Sequence, residues 1–256
     1  MNLGLVTYNL AKSWDIETII SRCESTGFEA AELRTTHAHG VEVSDSGARR
    51  AEVRGRFQDS GIRQLSLGST CEYHSLDPEE VKANVALTTR FVDLAADIGA
   101  VGVKVRPNGL HEDRGVPKEK TLEQIGLALR QCGRHAEGTP VSIWLEVHGE
   151  GTRHPPYLRR IMEVADHPQV GVCWNSNLTD VLDGSVRESF ELLRPWIMSV
   201  HINDLSRPDY PYRELFGRLQ DSGYEGFCLA EIRAESTEPD TFMPYYAALF
   251  RELCRR

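Results

Sequence analysis

Short runs rich in β-branched and aliphatic residues alternate with longer stretches of helical spacing, and this alternation constrains the fold more than any other feature. Each run is followed by a segment whose apolar residues recur at helical intervals between capping residues. A strand that is always followed by a helix predicts parallel pairing through crossover connections. The eight runs lie at residues 3–9, 28–34, 62–68, 100–106, 141–147, 170–175, 197–203 and 227–233.

The number and spacing of these units predict a closed barrel. Eight units in 256 residues average about 32 residues each, which matches a (β/α)₈ barrel of about 250 residues. The alternative, an open doubly wound sheet, normally has a glycine-rich phosphate turn after its first strand, and residues 6–14 (VTYNLAKSW) contain no glycine. No linker or low-complexity segment interrupts the alternation. We therefore expect an α/β protein with a single (β/α)₈ TIM-barrel domain over residues 1–256.

Charge and hydropathy exclude several classes of partner. The 29 basic and 38 acidic side chains give a net charge of −9, which repels phosphate backbones, so we expect no nucleic-acid partner. No apolar run approaches the ~18 residues of a membrane-spanning helix, so we expect no membrane partner. The first segment, MNLGLVTYNLAKSWD, lacks the basic and apolar regions of a secretory signal. The six cysteines form no CxxC pattern, which indicates reduced thiols in a cytoplasmic protein.

Polar side chains at the ends of four consecutive predicted strands indicate a site. In such a barrel, chemistry is located at the C-terminal ends of the strands. A carboxylate inside an apolar run is costly to bury without a partner. Each residue alone could be an ion-pair partner or a hydrogen-bonded core residue, but four together favour a site. Such ligands suit Mn²⁺, Mg²⁺, Co²⁺, Zn²⁺ or Fe²⁺. The four residues, on the fifth to eighth strands, are Glu146, Asn175, His201 and Glu231.

The segments around these residues resemble the xylose-isomerase-like TIM barrels. This superfamily of sugar isomerases and epimerases also includes ketose 3-epimerases, hydroxypyruvate isomerase, inosose dehydratase and endonuclease IV. The resemblance rests on SIWLEVHG, VGVCWNSN, SVHINDLSR and GYEGFCLAEI, and the strand–helix alternation extends it over nearly the whole chain. It implies that Glu146, Asn175, His201 and Glu231 hold one divalent metal ion. It also implies a small sugar-like substrate and a homo-oligomer.

Two positions depart from the family pattern. Where the family commonly has Asp-x-x-His after the sixth strand, this chain has Asn175 and Leu178. A neutral amide brings no charge to a metal, so we expect the ion to be held more weakly. The absent histidine meets the substrate in ketose epimerases, and its loss counts against that subclass. The turn after the seventh strand keeps the pattern, because Asp204 and Arg207 match an acid and an arginine that contact the sugar.

A divalent cation between two carboxylates suits proton abstraction beside a carbonyl, because the cation stabilises the enediolate. We assign the removal and return of the proton to Glu146 and Glu231. His148 shares a face with Glu146 and is an alternative base, since imidazole titrates near neutral pH. An equally strong interpretation makes His148 an orienting hydrogen-bond partner.

Further substrate contacts are predicted at other strand ends. Arg34 ends the second strand, Arg106 ends the fourth, and Trp14 lies just beyond the first, where it would form a hydrophobic wall. Glu32 shares a face with Arg34 and could pair with it inside the barrel, which is the role we favour for Glu32. Arg34 could instead hold a carboxylate, a phosphate or a sugar hydroxyl, and we favour substrate contact for it. Lys104 shares a face with Arg106, which is nearer the barrel mouth and is the residue we assign to the substrate.

Four functions remain open from the sequence. The first is a metal-dependent sugar isomerase or epimerase that abstracts a proton next to a carbonyl of a small polyhydroxylated substrate. The second is a lyase or dehydratase of the same fold acting on a keto-inositol or a 3-keto-glycoside, which the missing histidine and His148 favour. A nuclease of the endonuclease IV type needs further metal ligands and conflicts with the acidic charge. A degenerate barrel that binds a sugar without turnover stays open because of Asn175.

Overall fold

Eight parallel strands close into a barrel in chain order, as a computed structural model shows for residues 1–233, 236 and 238–255. Each strand pairs with its two sequence neighbours, and β1 pairs with β8. This confirms the predicted (β/α)₈ fold. The strands are β1 Asn2–Val6, β2 Ala30–Arg34, β3 Gln64–Glu72, β4 Gly102–Arg106, β5 Ser142–Glu146, β6 Val170–Asn175, β7 Ile197–Ile202 and β8 Phe227–Ala230.

An α-helix follows each strand and packs outside the barrel. The predicted start of the third helix is confirmed, because Asp77 Oδ1 accepts from the Glu79 amide at 2.9 Å. The first helix is capped by Asp15, whose Oδ1 accepts from the Thr18 amide at 2.8 Å, and not by Ser13, the cap that the sequence suggests. Gly27 ends the first helix with a positive φ of 80°, a conformation that glycine adopts without strain. The helices are α1 Ile16–Thr26, α2 Gly47–Gln58, α3 Pro78–Ile98, α4 Lys118–Ala136, α5 Pro155–Ala165, α6 Arg187–Leu193, α7 Tyr212–Asp221 and α8 Pro239–Leu253.

The core has two parts. The larger lies between the strands and the helices and holds most of the buried aliphatic and aromatic side chains. The smaller is a cluster of Val6, Ala30, Phe227 and Leu229. Because strand side chains alternate between faces, Leu229 shares its face with Glu231, and Ala30 shares its face with Glu32. The small cluster therefore fills the barrel interior beneath these polar residues.

Strand register brings the predicted ligand positions side by side. Asn175 on β6 pairs with His201 on β7, and Glu146 on β5 pairs with Cys173 on β6, two residues before Asn175. Strand β8 ends at Ala230, so Glu231 lies one residue past it. None of the helices in the described part of the chain combines the length and apolarity that crossing a membrane requires.

Candidate active site

A polar cavity of about 460 Å³ opens at the C-terminal ends of the strands. Its volume lies within the roughly 300–1,000 Å³ that is typical of small-molecule sites. Charged groups of both signs dominate the lining. The acidic ones are Glu32, Glu146, Glu150 and Glu231, and the basic ones are Arg34, Lys104, Arg106, Arg153 and Arg233.

Three of the four residues predicted to bind a metal converge, and two of them, Glu146 and Glu231, line this cavity. Glu146, His201 and Glu231 each offer one ligand atom, and these atoms all lie within 4.8 Å of one another. Glu146 and His201 are buried, and Glu231 is partly exposed. Each comes from a different strand end, so barrel closure is what brings them together.

Lys104 forms an ion pair with Glu146 inside the barrel. Its Nζ lies 2.8 Å from Glu146 Oε2, and the side chains are only 8% and 2% exposed. Burial opposes the charge on Lys104, but Glu146, Glu32 and Glu231 together outweigh it and raise the lysine's pKa. Burial also disfavours the Glu146 carboxylate, but Lys104, followed by His201 and His148, lowers the pKa of Glu146 to about 2. Glu146 is therefore ionised at neutral pH.

His201 is oriented by a buried carboxylate on the opposite side of the barrel. Its Nε2 donates to Glu32 Oε2 at 3.1 Å, and both side chains are fully buried. The other ring nitrogen, Nδ1, is buried without a hydrogen-bond partner and lies 3.9 Å from Glu146 Oε1. A carboxylate that fixes one ring nitrogen and leaves the other open is typical of metal-binding histidines.

Asn175 presents its amino group, not its oxygen, to Glu146. Asn175 Nδ2 donates to Glu146 Oε1 at 2.9 Å. Asn175 Oδ1 accepts from Asn203 Nδ2 at 3.0 Å, and Asn203 Oδ1 is buried without a partner. The predicted ligand atom of Asn175 is thus turned away from the Glu146 carboxylate.

The donor set fits a divalent cation. Two carboxylates and an imidazole are ligands for zinc, manganese, iron or cobalt. The unpartnered Nδ1 of His201 is a buried polar atom that such an ion would satisfy. Burial, followed by the charge of Glu146, raises the pKa of Glu231. A cation between Glu231 and Glu146 would relieve that repulsion.

His148, Arg106 and Arg34 also line the cavity. His148 Nδ1 donates to Asn108 Oδ1 at 2.9 Å, and burial lowers the pKa of His148, so its imidazole is neutral near pH 7. Arg106 lies 3.4 Å from Glu72 Oε1.

Arg34 does not pair with Glu32 as expected. The guanidinium of Arg34 lies 5.6 Å from the ring centre of Tyr8, and Glu32 is bonded to His201. Arg34 ends β2 at the cavity mouth, whereas Glu32 lies two residues deeper, where His201 reaches it from β7. The expected ion pair is therefore replaced by one across the barrel.

Three predicted substrate contacts lie outside the polar cavity. Asp204 and Arg207 line a neighbouring, more apolar cavity of about 530 Å³, and Arg207 pairs with Asp209 at 2.7 Å. They lie there because β7 ends at Ile202 and the turn after it contacts α8, where the Tyr246 hydroxyl donates to Asn203 O at 2.5 Å. Trp14 is buried in the core, with the guanidinium of Arg22 4.5 Å from its ring centre. Their contact with substrate stays a prediction.

Sequence reasoning undervalued Lys104 and Glu32 and missed Asn203. A signal for Lys104 existed, because a lysine inside the buried strand GVKVR is as costly as the glutamate that singled out Glu146. The sequence favours Arg106 over Lys104 as a substrate contact because Arg106 is nearer the end of the strand. No signal could have paired Glu32 with His201, which lie 169 positions apart.

Comparison with known proteins agrees with this architecture. The family model described as xylose isomerase-like TIM barrel matches residues 20–251, which confirms the family predicted from the strand segments. No curated protein matches the chain.

Several solved structures share the fold over the full length. D-psicose 3-epimerase with D-tagatose, from Clostridium cellulolyticum H10, has a TM-score of 0.82 at 15% identity, covering 100% of both chains. The probable 3-DHS dehydratase AsbF from Bacillus anthracis has a TM-score of 0.71 at 17% identity, also covering 100% of both. The IolI protein with a bound zinc atom has a TM-score of 0.70 at 18% identity, covering 99% of this chain and 96% of that one.

Proposed function

Because the chain belongs to the xylose isomerase-like TIM barrel family, we propose that it is a metal-dependent sugar isomerase or epimerase. Its substrate is a small polyhydroxylated carbonyl compound, and its reaction begins with proton abstraction next to the carbonyl. Enzymes that differ in reaction share this fold, so the proposal depends on the site and not on the fold.

One observation carries the proposal. The ligand atoms of Glu146, His201 and Glu231 converge within 4.8 Å at the bottom of a polar cavity. A divalent cation held by these three side chains would supply Lewis-acid polarisation of the carbonyl oxygen and stabilise the negative charge that develops there. The solved IolI structure with zinc supports a metal in a barrel of this family.

The two carboxyl groups have complementary proton affinities. The Lys104 ammonium keeps Glu146 ionised, so its carboxylate can accept a proton from carbon. Burial, followed by the charge of Glu146, raises the pKa of Glu231, so of the two carboxyl groups Glu231 is the one that takes up a proton more readily, and we assign the return of the proton to it. Two carboxyl groups whose environments separate their pKa values are a common basis for acid and base roles.

Lys104 and Glu32 act as positioning residues in this scheme. Lys104 fixes Glu146 through Oε2, which leaves Oε1 facing His201, and Glu32 fixes the ring of His201. Asn175 can offer its oxygen as a fourth ligand only if its amide turns over. The unpartnered Oδ1 of Asn203 would then accept the Asn175 amino group, provided that the Asn203 amide turns over as well.

A lyase or dehydratase is the second candidate. Leu178, at the position of the family's substrate-binding histidine, is 52% exposed and offers no hydrogen-bonding group. His148, which is neutral near pH 7, lines the same cavity and could serve as the base in an elimination. A keto-inositol or a 3-keto-glycoside would suit this chemistry.

The test is solvent exchange. We would incubate the purified protein in D₂O with ketoses, aldoses, a keto-inositol and a 3-keto-glycoside, and follow deuterium incorporation by NMR. We expect incorporation next to the carbonyl, its loss after chelation, and its recovery when Mn²⁺ or Co²⁺ is returned. Release of water or of the aglycone would identify the lyase. If the metal-loaded protein neither incorporated deuterium into any sugar nor released water or an aglycone, the remaining interpretation would be a barrel that binds a sugar without turnover.

A further inference from the structure

We propose that the substrate carries an anionic group, a carboxylate or a phosphate, which guanidinium groups at the cavity mouth bind. This inference rests on the proposed function, because it adds a substrate class to the same site. We call the charged residues at the cavity mouth the rim. They are Arg34, Arg106, Arg153, Arg233 and Glu150.

The rim is basic although the chain is acidic. The chain carries a net charge of −9, yet among the described residues that line the cavity the rim has four arginines against one glutamate. Like charges gathered at the mouth of a cavity repel one another and attract counter-ions. A bound anion is the partner that would offset this repulsion.

Two of the three acids deeper in the cavity, Glu146 and Glu32, do not neutralise the rim. Glu146 is engaged by Lys104 at 2.8 Å and by Asn175 at 2.9 Å. Glu32 is bonded to His201 at 3.1 Å. These two carboxylates already have partners of their own inside the barrel. The third deep acid, Glu231, interacts with the charge of Arg233, and one carboxylate leaves the rim with more positive than negative charge.

Arg34 is the residue best placed to bind an anion. It is half-buried, and its guanidinium lies against the Tyr8 ring and donates one hydrogen bond, from Nη1 to Thr35 O at 3.1 Å. No acidic side chain in the described ranges forms an ion pair with it. Arg106 differs, because Glu72 Oε1 lies 3.4 Å from its Nη2.

The chemistry of the guanidinium favours an oxyanion over a hydroxyl. Its planar fork matches a carboxylate or a phosphate with two parallel hydrogen bonds. Sugar hydroxyls need no such charge, and the neutral side-chain amide oxygens of Asn9 and Asn177 in the same lining can accept from them. The cavity thus pairs a cluster suited to a metal and a carbonyl with a mouth suited to an anion.

A matched set of sugars tests this. Isothermal titration calorimetry would compare D-glucose, D-glucuronate and D-glucose 6-phosphate, which differ only at one carbon, with inorganic phosphate as a further probe. Each titration is run on the full chain with and without EDTA. We expect at least one charged sugar to bind about tenfold more tightly than D-glucose, as one charge-assisted contact would give. Whichever charged sugar binds more tightly identifies the carboxylate or the phosphate.

Two variants locate the anion site. Arg34→Gln should lose most of that tenfold preference. Arg160→Gln, which removes an exposed arginine on α5, should keep it. Thermal unfolding midpoints of both variants show whether each has folded.

The inference would be overturned if neutral and charged sugars bound with equal affinity, or if neither charged sugar bound. It would also be overturned if EDTA abolished the preference for the charged sugar while Arg34→Gln left that preference unchanged. That last result would place the anion on the metal and not on the rim. Deuterium exchange in neutral sugars without an anion preference refutes this inference alone. An anion preference without exchange in any sugar refutes the proposed function alone.

Discussion

The bottom and the mouth of the cavity carry charge in different ways. At the bottom, Lys104, Glu32 and Glu146 each have a partner of opposite charge or a histidine within 3.1 Å, and all three are buried. At the rim, the arginines outnumber the acids and reach solvent. Buried charges without partners are strongly destabilising, whereas exposed ones are solvated and screened. Folding therefore fixes the charges at the bottom and leaves those at the rim free to suit a substrate.

The largest effect is expected from Glu231→Gln, at the bottom. Removing the group that returns the proton should lower the exchange rate by about 10²–10⁴-fold, as NMR in D₂O would measure. Stability should be kept, because burial already disfavours the Glu231 carboxylate and glutamine is neutral. Glu225→Gln, an exposed change before β8, is the control. Activity retained in Glu231→Gln would remove Glu231 from the mechanism.

The second-largest effect is expected from Lys104→Met. This change leaves Glu146 buried and unpaired, so it should lower the free energy of unfolding by roughly 3–5 kcal/mol. Urea denaturation measures this loss. The double variant with Glu146→Gln should recover most of it, since both charges are then gone. Additive losses in the two variants would show that the pair is not coupled.

The same pair predicts a pH dependence. The pKa of Glu146 falls from its ordinary 4.5 to about 2 in the folded chain. The stability that it contributes is therefore complete above about pH 4.5 and is lost as the pH falls towards 2. Denaturant unfolding between pH 6 and pH 3 should show this decline in the wild type, and a much weaker one in Glu146→Gln. Equal slopes in both would contradict the assignment.

A smaller effect is expected from Asn175→Asp. An additional carboxylate beside Glu146 and His201 should tighten metal binding about tenfold to a hundredfold, as competition against a chelator would measure. Asn175→Ala is the matched control and should not tighten it. Unchanged affinity in Asn175→Asp would show that residue 175 is not a ligand.

The smallest effect is expected at the rim. Arg153→Gln replaces an exposed side chain and should change the free energy of unfolding by less than about 0.5 kcal/mol. A loss above about 1 kcal/mol in urea denaturation would show that the rim is structurally paired like the bottom, and the contrast between the two regions would fail.

Local patterns predicted much of the fold and part of the site. The repeated strand–helix unit predicted the closed barrel, and polar residues in apolar strand ends predicted that Glu146, His201 and Glu231 lie together. The partners of these residues were not predictable. Glu32 was expected to pair with Arg34, but it is hydrogen-bonded to His201. Asp204 and Arg207, which the family resemblance assigned to the substrate, line the neighbouring cavity.

The sequence by itself determined which residues form strands and which side chains point into the barrel, because a period of two residues is a local property of the strand. Only the tertiary structure decided which inward side chains meet across the barrel. Those distances depend on how eight strands are staggered when the sheet closes, and no local pattern records that stagger. The ion pair of Lys104 with Glu146 and the contact of Glu32 with His201 both come from that closure.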